Sequence, residues 1–291
     1  SVRVWNGTPH EFLIRAAELT RTGIGLPAYY NDEVIIPSLM SRGLTLQDAR
    51  DYNIIGCVEP QKSGKTEGWH DAAFFNMCRP LELVFSNGMD KGVRIGPATG
   101  NVEDMTTFEQ FYDAYKKQMD YAIQLLVNAD NAIDMAHAER CPLPFLSSMV
   151  DDCMKVGKTV QEGGAVYNFT GPQGFGVANM ADSLYSVKTL VYDEKKITMG
   201  ELKEALATNY GKGLGAEDVA AMTAKIANEL KEAGKTIGEK EVAAILNTVV
   251  AASEAPEVKA NGERILKLIE EVPKFGNDIP EVDAFARDVA Y

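Results

Sequence analysis

Helices are the elements that the pattern of hydrophobic and polar positions predicts most clearly. Between residues 107 and 136, aromatic and aliphatic side chains recur every three or four positions, which is the spacing of one face of an α-helix. An aromatic stripe of this kind is typical of core packing. The same spacing predicts helices over residues 8–20, 33–42, 45–52, 71–86, 177–191, 201–206, 216–230, 238–253 and 260–271.

Short apolar segments between the helices predict strands. Residues 26–32 and 143–146 have the length of short strands, and residues 163–170 predict another that leads into a glycine-rich loop at 171–176. Short buried strands that alternate with long helices are typical of an α/β fold. After residue 198 the chain is rich in alanine and alternating charge, which predicts a solvated helical layer without chemistry of its own.

One apolar run, residues 53–60, carries a thiol and a carboxylate. Cys57 and Glu59 are two positions apart, and in an extended segment such positions point the same way. We therefore expect both to face one small cavity, with Val58 on the other side, where a sulfur could attack a substrate and a carboxylate move a proton. The spacing alone also allows Cys57 to be a small buried hydrophobe and Glu59 a turn residue.

A His-Asp pair follows at the start of the helix predicted over residues 71–86. A carboxylate is favoured at a helix start, because it can cap exposed amides and interacts well with the helix dipole. Asp71 is therefore either a helix cap or a substrate ligand. Pro80 lies well inside the same run, so we expect a kink or two helices there.

The remaining candidate motifs do not predict a nucleotide or metal site. Residues 171–176 have the order GxxGxG rather than GxGxxG, and residues 62–66 lack the earlier glycine of a P-loop. His137 and Glu139 are too few for a metal site, and with Arg140 they predict a buried ion-pair network.

Composition and charge narrow the class of protein. A chain of 291 residues with 45% hydrophobic content can bury one large core or two ordinary ones, and its net charge of −13 argues against nucleic acid or an anionic membrane as a partner. We find no apolar run near membrane-spanning length and expect no signal peptide. The four cysteines form no CxxC pair, so we expect Cys78, Cys141 and Cys153 to be buried free thiols in a reducing cytosol.

Five segments of the chain resemble motifs of the glycyl radical enzymes. The resemblance is to the branch that includes glycerol and propanediol dehydratases, choline trimethylamine-lyase, hydroxyproline dehydratase and isethionate sulfite-lyase. The most specific segment is the cysteine loop around Cys57 and Glu59, and together the segments cover most of the chain. They are GCVEPQ at 56–61, WHDAAFF at 69–75, HAERCPLPFL at 137–146, YNFTGPQG at 167–174 and PKFGND at 273–278.

The resemblance implies a fold and a division of the chain. It implies part of a ten-stranded α/β barrel surrounded by helices. Residues 1–192 would form a partial barrel core with the cysteine loop, residues 193–272 a peripheral helical segment, and residues 273–291 the start of the next barrel segment. Since the chain begins without a methionine and contains no Arg-Val-x-Gly-Tyr type loop, we expect it to be a central piece of a longer enzyme.

The resemblance also implies roles for individual residues. Cys57 would become a thiyl radical, Glu59 would remove a proton from the substrate, and Asp71 and His70 would bind the substrate. No bound cofactor or metal is implied. The unpaired electron would be stored on a glycine outside this chain, installed by a radical S-adenosylmethionine activating enzyme. We further expect a homodimer without nucleic acid or membrane partners, in the cytoplasm or within a bacterial microcompartment.

Positions within the motifs discriminate among members of the branch. Choline lyases are expected to have Thr and Tyr where this chain has His70 and Phe74, and hydroxyproline dehydratases Tyr in place of Ala73. Diol dehydratases are similar to this chain in having Asp71, which favours dehydration of glycerol or propane-1,2-diol to an aldehyde. The alternative is isethionate sulfite-lyase or another C–X-cleaving glycyl radical enzyme. An inactive structural or assembly fragment and a redox-sensing thiol protein are the alternatives of other classes.

Overall fold

The computed structural model of the protein describes residues 1–212, 239–253 and 255–290, and these form an α/β chain rich in helix. The helices are α1 (His10–Leu19), α2 (Asp32–Ser41), α3 (Leu46–Arg50), α4 (Arg79–Phe85), α5 (Phe108–Arg140), α6 (Pro144–Ser147), α7 (Cys153–Val156), α8 (Val177–Val187), α9 (Met199–Ala207), α10 (Glu239–Ser253), α11 (Pro256–Glu271) and α12 (Pro280–Ala290). The strands are β1 (Val2–Val4), β2 (Tyr29–Asn31), β3 (Asn53–Ile55), β4 (Glu59–Gln61), β5 (Thr66–Asn76), β6 (Met89–Asp90), β7 (Val93–Arg94) and β8 (Tyr167–Phe175).

The strands of the described residues pair in twos. β1 lies parallel to β2, whereas β3 with β4 and β6 with β7 are antiparallel hairpins. β5 pairs with β8, across almost a hundred positions of sequence. The predicted α/β class is confirmed, but these small sheets do not confirm the ten-stranded barrel, which stays a prediction.

The chain divides into two compact units. Unit 1 consists of residues 1–75 and 124–174. Tyr30 of β2 and Tyr52, which directly precedes β3, are buried in its main apolar cluster, so this core positions the strand that leads to Cys57. The other buried members of that cluster are Leu39, Leu44 and Ala49.

Unit 2 consists of the described residues within 76–123 and 175–291. Here α8 packs along α12 through Ala181, Val282 and Ala286. The aromatic rings of Phe108 and Phe285 meet edge to face with centroids 5.6 Å apart. The predicted division at residues 192 and 272 stays a prediction.

The helix predicted over residues 107–136 is confirmed and is the longest among the described residues, and the first part of its aromatic stripe is buried. α5 covers Phe108–Arg140, and Phe111 and Tyr115 are buried in unit 2. The buried ion-pair network predicted at its end is wrong, because Glu139 and Arg140 are exposed. The helix predicted over residues 216–230 lies outside the described residues. Among the described helices, none combines the length and the apolar character needed to cross a membrane.

The helix predicted over residues 71–86 is wrong in its first part and confirmed over Arg79–Phe85. Residues up to Asn76 belong to strand β5, and a short turn separates them from α4, which begins at Arg79. The backbone of Asp71 has a φ of +68°, a left-handed conformation that no α-helix contains. Pro80 lies in the first turn of α4, where its missing N–H is harmless, and not in a helix interior.

Two strand predictions also change. Residues 143–146 are not a strand: α6 begins with Pro144, and the hydroxyl of Ser147 donates to the carbonyl of Leu143. The strand predicted at residues 163–170 exists as β8, but it begins at Tyr167 and continues to Phe175. The expected loop at residues 171–176 is therefore largely strand, which brings Gln173 opposite β5.

The four cysteines are all free, but they differ in burial. Cys153 is buried, as predicted, and Cys78 is half-buried. Cys141 is exposed, so the prediction of a buried thiol is wrong at this position. Cys57 is exposed as well, which argues against the interpretation of Cys57 as a small buried hydrophobe.

Candidate active site

The thiol lies in a tight hairpin turn. β3 and β4 pair antiparallel with Ile55 opposite Glu59, so Gly56, Cys57 and Val58 form the connection. The extended geometry expected for Cys57 is therefore wrong, and Val58 is exposed instead of anchored. Gly56 has a φ of +57°, and a Cβ there would lie 2.8 Å from Oε2 of Glu59. A glycine at this position lets the turn close directly over the carboxylate.

The carboxylate of Glu59 is bound by the backbone of the same turn. Its Oε2 accepts hydrogen bonds from the N–H groups of Cys57 at 2.9 Å and Val58 at 2.8 Å. Glu59 is only 7% exposed, and this burial acts to raise its pKa. The N–H donors of residues 57–59 outweigh burial, so the pKa of Glu59 lies below its usual range. The group next to the thiol is therefore an anion at neutral pH.

A buried tyrosine fixes the turn from the other side. The hydroxyl of Tyr30 donates to the carbonyl of Cys57 at 2.7 Å, and Tyr30 is 5% exposed. Because Tyr30 belongs to the main core cluster of unit 1, the backbone of the thiol residue is tied directly to that core.

Tyr30→Phe is expected to loosen the turn without opening the core. The variant keeps the aromatic ring but loses one hydrogen bond of about 1 kcal/mol, which corresponds to roughly fivefold faster local opening. Hydrogen–deuterium exchange of a peptide spanning residues 53–61 in the complete protein measures it. Tyr29→Phe is the matched control, since the exposed Tyr29 bonds to Thr20 and not to the turn. Equal exchange in both variants would contradict a role of Tyr30 in holding Cys57.

A second carboxylate is linked to Glu59 by an amide. Nε2 of Gln173, on β8, donates to Oε1 of Glu59 and to Oδ1 of Asp71, on β5. We call Glu59, Gln173 and Asp71 the carboxylate bridge. The helix-cap interpretation of Asp71 is wrong, because Asp71 lies inside a strand. Its left-handed backbone is the kind of unusual conformation that clusters at functional sites.

His70 lies beside the carboxylate bridge and forms a hydrogen bond with Gln61. Its Nε2 is 3.1 Å from Oε1 of Gln61, and since an amide oxygen only accepts, Nε2 carries the proton. Burial lowers the pKa of His70, and the nearby carboxylates of Glu59 and Asp71 offset only part of that effect. We therefore expect a neutral imidazole at pH 7. The structure brings Cys57, Glu59 and Asp71 together, with His70 at their edge.

A small acidic cavity lies on the α5 side of Asp71. It has a volume of about 150 Å³ and is lined by Trp69, Asp71, Ala72, Asp130, Ile133, Asp134 and His137. The His137 ring stacks on Trp69 with centroids 4.1 Å apart, which replaces the ion-pair network predicted for this segment. The Thr170 hydroxyl donates to Asp134. Across the described ranges, no group of three or more His, Cys, Asp or Glu residues is placed to hold a metal ion.

Two residues of this arrangement were missed by sequence reasoning. Gln173 lies in the segment quoted at residues 167–174, but an uncharged amide gives no signal until its two partners are known. Tyr30 gives no motif signal, since one tyrosine in a short apolar strand normally packs in the core. A pairing of β5 with β8 would have singled out Gln173.

Comparison with known proteins shows which protein family this chain is similar to. A family model described as "PFL-like: Pyruvate formate lyase-like" matches residues 1–291. A structure from a study of 1,2-propanediol dehydration in Roseburia inulinivorans is 60% identical with a TM-score of 0.87, and the match covers 100% of this chain and 35% of that chain. The glycerol-bound form of the B12-independent glycerol dehydratase from Clostridium butyricum is 53% identical with a TM-score of 0.76, over 99% of this chain and 30% of that one. The (2S)-3-sulfopropanediol dehydratase of Klebsiella oxytoca is 39% identical over 72% of this chain and 26% of its own length.

The likeness to the two solved structures extends along 99–100% of this chain, but each relative is matched along only part of its own length. This chain spans 35% of the Roseburia inulinivorans structure, 30% of the glycerol dehydratase and 26% of the sulfopropanediol dehydratase. The predicted resemblance to glycyl radical enzymes of the dehydratase branch is confirmed by these relatives. Because the family model matches every residue from 1 to 291, the chain belongs to the pyruvate formate lyase-like family.

Proposed function

We propose that the chain carries the cysteine loop of a glycyl radical dehydratase that converts a small 1,2-diol, glycerol or propane-1,2-diol, to an aldehyde. The observation that carries this proposal is the buried Glu59 anion bound to the backbone N–H of Cys57. Identities of 60% and 53% to structures concerned with propanediol and glycerol support the substrate class. The activity is that of a complete enzyme, of which this chain is one part.

The geometry supports different chemical roles for the thiol of Cys57 and the carboxylate of Glu59. A glycyl radical, installed by a radical S-adenosylmethionine enzyme, would supply the unpaired electron by taking up the hydrogen atom of the Cys57 thiol: the S–H bond breaks, a C–H bond forms on the glycine, and Cys57 is left as a thiyl radical. Cys57 then takes a hydrogen atom from the C1 carbon of the diol, so that a C–H bond breaks and an S–H bond forms. Glu59 accepts the proton of the hydroxyl on that carbon, and the neighbouring C–O bond breaks to release hydroxide, which is protonated to water. Cys57 finally returns a hydrogen atom to carbon, which completes the aldehyde.

The site must position the diol and exclude competing reactions. A thiyl radical carries no charge for the protein to stabilise, so position and exclusion of water and oxygen are what the fold can contribute. Asp71 supplies a carboxyl group for a substrate hydroxyl, and His70 a neutral ring beside it. We propose that a ten-stranded barrel formed by the complete protein encloses these groups, and that the complete protein is a cytoplasmic homodimer.

Asp71→Asn is expected to lower kcat/KM for propane-1,2-diol by about 10- to 100-fold, because a charged acceptor becomes neutral. Asparagine also tolerates the left-handed backbone, so folding should change little. Asp152→Asn is the matched control, since Asp152 has a φ of +73° in the same unit and lies outside the carboxylate bridge. An unchanged kcat/KM with a lowered melting temperature for Asp71→Asn would assign Asp71 a purely structural role.

One experiment separates the proposed function from its alternatives. The complete protein is treated with its activating enzyme under anaerobic conditions and assayed with glycerol, propane-1,2-diol and isethionate, while electron paramagnetic resonance measures the glycyl radical. Aldehyde from a diol supports the proposal, and sulfite from isethionate would favour the sulfite-lyase. Full radical content without turnover of any of the three would refute the diol substrate. A folded protein that never acquires the radical would support an inactive fragment, and reversible thiol oxidation alone would support a redox sensor.

A further inference from the structure

The amide of Gln173 has a position that the proposed reaction does not yet use. Its Nε2 lies between two carboxylates and donates to both, to Glu59 through Oε1 and to Asp71 through Oδ1. A primary amide has two N–H groups, so each carboxylate can receive one. Gln173 is half-buried on β8, whereas its partners lie on β4 and β5. The side chain therefore connects three strands of unit 1 through one nitrogen.

Counting donors identifies the oxygen of Glu59 that is free to react. An ionised carboxylate has about two acceptor sites on each oxygen. Both sites of Oε2 are used by the N–H groups of Cys57 and Val58. Oε1 receives one hydrogen bond, from Gln173, and keeps one site for a further donor.

We propose that Gln173 is a positioning residue which orients Glu59 so that the proton of the substrate arrives at Oε1. The inference rests on the proposed function, because it assumes that Glu59 accepts a substrate proton. It adds the atom that receives the proton and the residue that selects it. Oε2, which accepts from the turn, keeps the carboxylate in place, and Oε1, which accepts from Gln173, takes up the proton of the substrate.

The hydrogen bonds of the Gln173 amide should also affect the pKa of Glu59. Glu59 and Asp71 share one donor, and a hydrogen bond to the charged form of a carboxylate favours that form. A donor between them stabilises both anions and keeps Glu59 ready to accept a proton at neutral pH. Removing the donor takes one hydrogen bond away from the Glu59 anion, so the pKa of Glu59 should rise.

Gln173→Met tests the inference, because methionine has a similar length and no N–H group. We expect kcat of the activated complete protein for propane-1,2-diol to fall about 10- to 100-fold at pH 7, with a much smaller change in KM. The acidic limb of the kcat/KM profile should move to higher pH, and radical content should stay at the wild-type level. Gln47→Met is the matched control, an exposed glutamine on α3 of the same unit, and it should behave as wild type.

A readout without substrate keeps this inference separate from the proposed function. Infrared titration of the unactivated protein, as a difference against Glu59→Gln, follows the protonation of Glu59 alone. A higher midpoint in Gln173→Met than in wild type and Gln47→Met supports the role of Gln173, even if no diol is turned over. An unchanged midpoint, or a pH profile that does not move while stability falls, overturns it and leaves the diol dehydratase proposal standing.

Discussion

Cys57→Ser is expected to abolish diol turnover by the complete protein while the glycyl radical still forms. Serine is close to cysteine in size, so the turn of Gly56, Cys57 and Val58 should keep its backbone bonds to Tyr30 and Glu59. The O–H bond is stronger than the S–H bond, so a hydroxyl cannot take over the hydrogen transfer. In the proposed reaction the unpaired electron is stored on a glycine outside this chain and used at Cys57. The substitution should therefore abolish turnover but not formation of the glycyl radical.

Two measurements on the activated protein check this expectation. Electron paramagnetic resonance should give wild-type radical content for Cys57→Ser, and aldehyde formation should fall below detection. Cys141→Ser is the matched control, since Cys141 is also an exposed free thiol of unit 1. Normal turnover in Cys57→Ser would refute the thiyl role, and loss of the radical itself would mean that Cys57 is needed for its installation.

The sequence predicts those parts of the site whose residues are neighbours along the chain. Cys57 and Glu59 share one turn and one motif, so their proximity follows from spacing, although the turn geometry does not. The spacing predicts an extended strand, whereas the structure has a turn in which the carboxylate accepts hydrogen bonds from the backbone of the thiol residue. The helix over residues 107–136 was predictable because one stripe of spacing persists over many turns.

The non-local parts of the site could not be read from the sequence. Residues 71–86 are apolar enough for a helix or a buried strand, and periodicity does not separate the two over a short run. The pairing of β5 with β8 makes residues 71–76 a strand, and the left-handed backbone of Asp71 excludes a continuous helix there, but no composition predicts either feature. Gln173 reaches Asp71 across 102 positions, and that contact depends on a strand pairing which only the folded chain contains.

Glu59 links the structure of the turn to its chemistry. The N–H groups that close the turn are the same groups that hold the carboxylate ionised. Stability of the turn and basicity of the site are therefore not independent quantities. Substitutions at Glu59 should change both, and a useful experiment has to separate them.

Glu59→Gln is expected to lower kcat for propane-1,2-diol by about 10²- to 10⁴-fold, the range by which a positioned general base contributes. An amide oxygen can still accept from the turn, but the amide nitrogen would face Gln173 as a second donor and cannot take up a proton. Radical content should stay normal, since Glu59 takes no part in storing the electron. Aldehyde formation, electron paramagnetic resonance and the melting temperature are the three measurements.

The pH dependence supplies the decisive comparison for this variant. The folded-state pKa of Glu59 is depressed, so its contribution to stability is present above the pKa of the unfolded chain and is lost as pH falls through the folded value. Wild type should therefore lose stability below about pH 4.3 more steeply than Glu59→Gln. Glu162→Gln is the matched control, because Glu162 also accepts a backbone N–H, from Thr159 at 2.9 Å, and has a lowered pKa through that bond. Glu162→Gln should show the same change in the pH dependence of stability and keep full turnover. Loss of turnover in Glu162→Gln, or full turnover in Glu59→Gln, would mean that Glu59 is a structural residue and not the base.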